Sequence, residues 1–243
     1  MPDDHLHTMP PESIEGTLKA ILFDLDGTCL NSDHIHYECY RDTLLELIPS
    51  FNGGKPITRE FYDSEMSGRQ NPELVSKILP QLPLHEQTRL WQTKESRYED
   101  VISKGVSPIA GLIELIKRCK QDGIITYIVT NAPKGTCVKT VSSIGITEYF
   151  GSHVVVAEEC EYPKPHPAPY LRALELAGVS AKEAIAFEDS PSGTRSAIGA
   201  GLLTIGMRST QSDETLRSFG AAFTVRDYND PKLLSALCMW TKK

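Results

Sequence analysis

The sequence predicts an α/β protein: a doubly wound, Rossmann-like parallel sheet with a helical cap domain inserted after the first strand. The first observation is the stretch KAILFDLDGTCL at residues 19–30, where an apolar run ends in carboxylates and a glycine. Such a run is typical of a central parallel strand that is buried on both faces. The second observation is an alternation of short apolar strands and helices after residue 108, which is the pattern of βαβ units.

The region between these two parts, residues 33–107, loses the strand signal and has helical spacing. A first apolar stripe, within residues 36–48, ends at Pro49, and a second, within residues 74–79, ends at Pro80. Residues 84–102 predict one or two further helices. We therefore expect a small helical unit inserted between the first strand and the rest of the sheet.

The remaining elements follow in order along the chain. The predicted strands are residues 20–23, 124–129, 153–156, 184–187, 202–205 and 222–225, and the predicted helices of the core are residues 109–120, 134–144, 170–177, a helix opened by Pro191, and residues 233–240. Residues 161–169 (EYPKPHPAP) form a loop in which prolines bracket Lys164.

These elements divide the chain into three parts. We expect residues 1–17, which are polar and proline-rich, to form a flexible tail, residues 18–32 and 108–243 to form the α/β core, and residues 33–107 to form the cap. The two connections between core and cap, residues 31–33 and 103–108, are short enough to serve as hinges.

Composition limits the partners. The net charge of −7 over 243 residues argues against nucleic acid or an anionic membrane as a partner. The six cysteines have no zinc-binding spacing, which favours a reduced, cytoplasmic protein. We expect a monomer or weak dimer that acts on a small phosphorylated molecule.

The carboxylates Asp24 and Asp26 follow the first strand directly. In open α/β sheets, ligands bind in the crevice beyond the carboxyl ends of the strands. A buried pair of acids is costly without a counter-ion, so the pair implies a cation, a shared proton or both. Mg²⁺, which prefers carboxylates and pairs well with phosphate, is the expected ion.

Further polar groups stand at the ends of later strands or in a loop beside them. They are Thr130 and Asn131 after the second strand, Lys164 in the proline-bracketed loop, and Glu188 and Asp189 after the strand at residues 184–187. Each has an ordinary alternative, such as a helix cap or a solvated loop charge. Their order and contexts together indicate one site.

This constellation resembles the haloacid dehalogenase superfamily, in its β-phosphoglucomutase-like and phosphatase branch with a helical cap. The matching motifs are Asp24-Leu25-Asp26-Gly27-Thr28, Thr130-Asn131, Lys164-Pro165 and Glu188-Asp189-Ser190. The resemblance implies an Mg²⁺-dependent phosphatase of a small phosphorylated metabolite that works through an aspartyl-phosphate. A phosphosugar mutase is the alternative.

Phosphoryl transfer needs a nucleophile, a proton donor and positive charge on the phosphoryl oxygens. Asp24 is the expected nucleophile. Asp26 faces a like charge, so we expect its proton affinity to rise and the group to act first as acid and then as base. Thr130 and Asn131 are expected to donate to the phosphoryl oxygens, and Lys164 to supply a fixed positive charge.

The expected metal site consists of Asp24, Asp189 and Asp26, the last through its backbone carbonyl. Glu188 either orients the metal site or serves as an occasional ligand.

In the cap, the resemblance to the mutases makes His36 a candidate substrate-binding residue, because it stands twelve positions after Asp24. The mutases grip a second phosphate with a basic pair, whereas alignment places Asn71 and Asp100 there. Arg69 lies two residues from the first of these and is a candidate to compensate. These departures favour a phosphatase, and for His36 and Arg69 a packing or surface role stays open.

Two other functions fit the sequence less well. A catalytically idle binding protein has no need of the intact motif acids and Lys164, and a dehalogenase has no need of Asp26 or a metal. Cys29 lies three residues after Asp26. It either makes activity sensitive to oxidation or, as we favour, is buried against the core.

Overall fold

The computed structural model describes residues 14–241, and its centre is one six-stranded parallel sheet in the order β3-β2-β1-β4-β5-β6. The strands are β1 (Ala20–Phe23), β2 (Ile125–Thr130), β3 (Val154–Val156), β4 (Ala184–Glu188), β5 (Leu203–Met207) and β6 (Phe223–Val225). The prediction of a doubly wound, Rossmann-like α/β fold is confirmed.

The helices of the inserted region are α1 (Asp33–Leu47), α2 (Arg59–Glu65), α3 (Asn71–Ile78) and α4 (Leu84–Ile102). Those of the core are α5 (Leu112–Asp122), α6 (Lys134–Ser143), α7 (Thr147–Phe150), α8 (Ala168–Ala177), α9 (Pro191–Gly199), α10 (Asp213–Ser218) and α11 (Pro231–Trp240). No helix within residues 14–241 is long and apolar enough to cross a membrane.

Strand β1 occupies the middle of the sheet and is fully buried. Ile21 and Phe23 belong to the apolar cluster on one face, and Ala20 and Leu22 to the cluster on the other, as the two-residue period of a strand requires. Phe23 pairs in register with residues of both β2 and β4. The carboxyl ends of these three strands are therefore level.

Four observed strands, β2, β3, β5 and β6, begin one residue later than predicted. For β2 the cause is the end of α5. Gly123 adopts φ +71° as the helix C-cap, and the N–H of Ile124 donates to the carbonyl of Cys119 at 2.8 Å. Ile124 thus closes the helix before the chain can join the sheet.

The inserted helices have an apolar core of their own, which includes Tyr40, Leu44, Leu74 and Leu90. Helix α4 is continuous, so of the two possibilities for residues 84–102 the single helix is correct. Its interior contains neither proline nor glycine to interrupt it.

The chain leaves and re-enters the α/β core at adjacent points. Leu30 and Pro108 form an isolated antiparallel bridge, and the N–H of Ile109 donates to the carbonyl of Cys29 at 2.8 Å. Of the predicted tail, residues 1–13 lie outside the described part of the chain. Ile14 packs against the core, and the N–H of Glu15 donates to the carbonyl of Lys182 at 3.0 Å.

Candidate active site

The carboxyl ends of the three central strands place four of the predicted polar groups together. Asp24 directly follows β1, Thr130 ends β2, Glu188 ends β4 and Asp189 follows it. Asp24, Thr130 and Asp189 line one end of an open cleft of about 840 Å³, whose opposite wall is formed by the inserted helices, and Glu188 is buried behind them. The level ends of the strands bring these residues together although they are far apart in sequence.

Lys164 is the charged centre of this group and is almost completely buried. Its Nζ lies 2.8 Å from Oδ1 of Asp24 and 2.6 Å from Oε1 of Glu188, and it also donates to the carbonyl of Val129 at 2.7 Å. Tyr170 donates its hydroxyl to the same Oε1 of Glu188 at 2.6 Å. The ammonium therefore joins two carboxylates from neighbouring strands.

The loop that carries Lys164 is held by Asn131. The side-chain Nδ2 of Asn131 donates to the carbonyl of Lys164, and its Oδ1 accepts from the N–H of Lys164, both at 3.1 Å. These two bonds engage the Asn131 side chain, and donation by Asn131 to a phosphoryl oxygen stays a prediction. Asn131 positions Lys164, whereas the buried hydroxyl of Thr130 accepts from the N–H of Ala132 at 3.0 Å and lines the cleft.

Two glycines make room for the late acidic pair. A Cβ on Gly193 would lie 1.9–2.0 Å from the carboxylate atoms of Glu188. A Cβ on Gly27, whose φ is +80°, would lie 2.0 Å from Oδ2 of Asp189. Thr210 donates its hydroxyl to this same Oδ2 at 2.8 Å. The acidic pair thus packs directly against the backbone of Gly27 and of Gly193 in the first turn of α9.

The donor set fits a hard divalent cation. One oxygen from each of Asp24, Glu188 and Asp189 lies within 4.8 Å of the others, and all three residues are buried. Oε2 of Glu188 has no hydrogen-bond partner among residues 14–241. One buried ammonium does not balance three carboxylates, and an all-oxygen set is the one that Mg²⁺ prefers. These residues fit the predicted ion.

The ionisation of the cluster reflects its burial. Burial raises the pKa of Asp24 to about 7, with Lys164 opposing the rise and the charge of Glu188 adding to it. Burial, together with the charges of Asp24 and Glu188, raises the pKa of Asp189 well above its usual range. For Lys164, burial acts downward, but the two neighbouring carboxylates outweigh it and raise the pKa. The carboxylates therefore need positive charge to stay ionised together.

Asp26 has the opposite environment, and here the expectation from sequence was wrong. Its Oδ1 accepts from Ser32 Oγ at 2.7 Å, Tyr98 Oη at 2.9 Å and His36 Nε2 at 3.1 Å. Burial acts to raise the pKa of Asp26, but His36 and the three hydrogen bonds outweigh it and lower the pKa. The predicted rise neglected these donors, which come from the inserted helices and their connection.

His36, predicted from its spacing, does lie in the cleft and links Asp26 to the cap. Its ring stacks on Tyr98 with centroids 4.1 Å apart, and its Nδ1 lies 2.7 Å from Nζ of Lys94. Because an ammonium only donates, Nδ1 is the acceptor, and Nε2 is left to carry the proton that points to Asp26. Lys94 thereby sets the tautomer of His36.

Arg69 also lines the cleft but is partly exposed at its edge. Its Nε donates to the carbonyl of Glu65 at 3.1 Å, and its Nη1 lies 3.4 Å from Glu73. Cys29, in contrast, is fully buried and donates to the carbonyl of Asp24 at 3.2 Å. Burial raises the pKa of the Cys29 thiol, so the favoured packing role is confirmed.

Sequence reasoning missed several side chains of the site. They are Ser32, Lys94, Glu95, Tyr98, Tyr170 and Thr210. In the sequence, Lys94 and Glu95 resemble any charged pair on a helix surface, although both are buried here. The one available signal was the helical spacing of Lys94 and Tyr98, which places them on one face of α4.

The fold and the site define a class of protein: an α/β enzyme with a carboxylate-rich site at the sheet edge, covered by an inserted helical unit. The model of the haloacid dehalogenase-like hydrolase family matches residues 21–207. The chain belongs to this family. The prediction drawn from the four motifs is therefore confirmed, and so is the prediction of a hydrolase of this kind.

Known relatives support this assignment. Validoxylamine A 7'-phosphate phosphatase of Streptomyces hygroscopicus subsp. limoneus is 26% identical over 216 residues, covering 82% of this chain and 89% of the relative. The crystal structure of a HAD hydrolase, family IA, variant 3, from Entamoeba histolytica covers 93% of this chain and 100% of that chain, with a TM-score of 0.81 and 24% identity. That of β-phosphoglucomutase from Clostridium difficile covers 92% and 97%, with a TM-score of 0.76 and 22% identity. The two structures show a shared fold.

Proposed function

We propose that this chain is an Mg²⁺-dependent phosphatase that hydrolyses the phosphomonoester of a small phosphorylated metabolite through an aspartyl-phosphate on Asp24. The observation that carries the proposal is the buried bridge from Lys164 to Asp24 and Glu188, beside Asp189. Phosphoryl transfer depends on positioning and on positive charge at the phosphoryl oxygens, and this arrangement supplies both. The name of the phosphatase relative agrees with this activity.

In the first step, a carboxylate oxygen of Asp24 attacks phosphorus as the bond from phosphorus to the leaving oxygen breaks. The leaving oxygen takes a proton from Asp26. Thr130 donates to a phosphoryl oxygen, and Lys164 stabilises the negative charge that develops there. When bound by Asp24, Glu188 and Asp189, Mg²⁺ supplies charge neutralisation that allows the anionic phosphate to approach the anionic nucleophile.

In the second step, Asp26 removes a proton from water, and the water oxygen attacks phosphorus to release inorganic phosphate and regenerate Asp24. The contacts of Asp26 fit this base step, because its lowered pKa keeps it ionised and three donors hold it in place. The first step requires Asp26 to be protonated. The proton that Asp26 takes from water in one turnover is the proton that it donates to the leaving oxygen in the next.

The inserted helices are proposed to act as a cap that opens for substrate and closes over it. Besides the hydrogen bonds from His36 and Tyr98 to Asp26, further contacts join the inserted helices to the core. A Cβ on Gly68 would lie 3.5 Å from Cβ of Ser190, Thr136 donates to Glu95 at 2.9 Å, and Lys139 pairs with Glu99. Movement about the adjacent connections at Leu30 and Pro108 breaks these contacts without disturbing the sheet. A cytoplasmic location and a monomeric or weakly dimeric state stay predictions.

The decisive experiment measures phosphate release from a panel of phosphorylated metabolites, with Mg²⁺ and with a chelator, for the wild type, Asp24→Asn and Asp122→Asn. Asp122 is an exposed acid at the end of α5 and serves as the matched control. We expect metal-dependent release that is lost in Asp24→Asn and kept in Asp122→Asn. Normal turnover by Asp24→Asn would refute the proposed nucleophile. Isomerisation of β-glucose 1-phosphate without phosphate release would establish the mutase instead.

A further inference from the structure

We propose that Glu95 is a specificity-determining residue: by neutralising Lys94 in the cap wall of the cleft, it restricts the site to monophosphates with a neutral, hydroxyl-bearing leaving group and disfavours a second phosphate. The inference rests on the proposed phosphatase function and adds a substrate class to it. It is based on the carboxylate partner that each lysine and arginine side chain of the cleft already has.

Three lysine and arginine side chains line the cleft in the described part of the chain: Lys164, Lys94 and Arg69. Lys164 is bonded to Asp24 and Glu188, at the end of the cleft proposed for the reacting phosphate. Within residues 14–241, Lys94 is the one lysine or arginine that is buried in the cap wall. Binding of a second phosphate group in the cap half of the cleft therefore requires positive charge from Lys94, or from Arg69 at the exposed edge.

Lys94 already has a carboxylate partner. Its Nζ lies 2.7 Å from Oε1 of Glu95, and the two side chains are 3% and 10% exposed. A second contact, to Nδ1 of His36, engages a further proton of the ammonium. The ion pair is buried and net neutral, so it offers no excess positive charge to a phosphate.

Glu95 is held firmly in its charged form. Asn71 donates to Oε1 of Glu95 at 2.8 Å, and Thr136, from the core, donates to Oε2 at 2.9 Å. Although burial acts upward, the charge of Lys94 and the hydrogen bonds from Lys94 and Asn71 lower the pKa of Glu95. Its carboxylate therefore cancels the attraction that Lys94 alone would exert on an anion in the cap half of the cleft.

Most of the remaining polar lining of this half is neutral and is provided by Tyr40, Ser67, Gln70 and Asn71. Its further carboxylate, Asp33, is paired with Arg59. Hydroxyl and amide groups of this kind bind sugar or polyol hydroxyls well, because each side both donates and accepts. Their hydrogen bonds do not offset the free-energy cost of desolvating a phosphate group that carries close to two negative charges. The charge distribution thus selects a hydroxylated leaving group.

The test compares binding of two compounds that differ by one phosphate, glucose 6-phosphate and glucose 1,6-bisphosphate. Dissociation constants are measured by calorimetry with Mg²⁺ in the Asp24→Asn background, where proposed turnover is blocked. We expect the monophosphate to bind more tightly, and Glu95→Gln to shift the ratio of the two constants towards the bisphosphate by about tenfold. High salt should reduce this shift.

Glu99→Gln is the matched control. Glu99 lies one turn further along α4 and approaches the same Thr136 hydroxyl at 3.2 Å, but it does not line the cleft. We expect Glu99→Gln to leave the ratio within about twofold of the parent value, since it removes no charge from the cleft. A parent protein that prefers the bisphosphate, or an equal effect of the two substitutions, would overturn the inference.

Gln70→Lys provides a second variant in case Glu95→Gln does not fold. Gln70 lines the same half of the cleft, is partly exposed and has no side-chain hydrogen bond to residues 14–241, so a lysine there adds positive charge without breaking the buried pair. It should shift the ratio in the same direction, and an unchanged ratio would count against the inference. Because binding is measured without turnover, absence of phosphate release in the wild type would instead refute the proposed function.

Discussion

Oε1 of Glu188 lies 2.6 Å from Nζ of Lys164 and 2.6 Å from the hydroxyl of Tyr170, and all three side chains are buried. The ammonium that neutralises Glu188 also contacts Asp24 at 2.8 Å. One lysine therefore serves both the stability of the sheet edge and the charge balance of the site. Its removal is expected to affect both properties.

Lys164→Met should lower kcat/KM by about 10²–10³-fold, because a preorganised cation at the phosphoryl group is lost. It should also lower the free energy of unfolding by about 3–5 kcal/mol, since two buried carboxylates lose their partner. Steady-state kinetics and urea unfolding measure the two effects. Lys134→Met, which removes an exposed lysine paired with Glu159, is the control and should change neither appreciably. Wild-type turnover by Lys164→Met would remove this residue from the mechanism.

Tyr170→Phe isolates one hydrogen bond of the same cluster. The phenol is fully buried and donates to an ionised carboxylate, so its loss should cost about 1.5–3 kcal/mol of unfolding free energy. Tyr162→Phe, at a half-exposed position, should be close to neutral. Chemical denaturation of both variants gives the comparison, and equal stabilities would contradict a structural role for the Tyr170 hydroxyl.

Gly193→Ala tests the space beside Glu188. Alanine normally stabilises a helix over glycine by about 0.5–1 kcal/mol. At Gly193 the added Cβ would overlap the Glu188 carboxylate, so the affinity for Mg²⁺ should fall by about 10–100-fold. Gly135→Ala in α6 is the control, because no atom lies within 4 Å of its added Cβ. Mg²⁺ titration of both variants decides the matter; unchanged affinity in Gly193→Ala would argue against Glu188 in the metal site.

The stabilising effect of Mg²⁺ should increase with pH. Folding raises the pKa of Asp24 from 3.8 to about 7, so the metal-free folded protein binds this proton more tightly than the unfolded chain. The contribution of this proton to the free energy of unfolding is fully present below pH 3.8 and is lost as pH rises through about 7. Mg²⁺ competes with the proton for the carboxylate.

We therefore expect the shift in Tm caused by Mg²⁺ to be larger at about pH 8 than at about pH 5. Thermal unfolding with and without the ion, at each pH, measures it. Asp24→Asn removes one titrating group and should weaken the dependence, and Asp189, whose pKa is also raised, accounts for what is left. A shift in Tm that is equal at both pH values in the wild type would place the ion elsewhere.

Local sequence determined the sheet and the order of the site residues. The apolar run 20–23 ends at Asp24, and the run in β4 ends at Glu188. A continuous apolar run of this kind is typical of a parallel strand that is buried on both faces. Since the ends of parallel strands meet at one edge, the motifs identified the site without coordinates. Lys164 lies in a loop and was assigned to the site from its motif, although 140 positions separate it from Asp24.

Only the tertiary structure decided how each group is charged and what it contacts. The spacing of Asp26 from Asp24 predicts a raised pKa through charge repulsion. Hydrogen bonds from Ser32, His36 and Tyr98 lower the pKa of Asp26 instead. Lys94 and Glu95 look like surface charges in sequence, but the packing of α4 buries them as a pair. A pKa and the exposure of a side chain depend on neighbours that are distant in the chain. Local pattern fixes which residues lie at the ends of the strands, whereas packing decides which other side chains join them and how each group is charged.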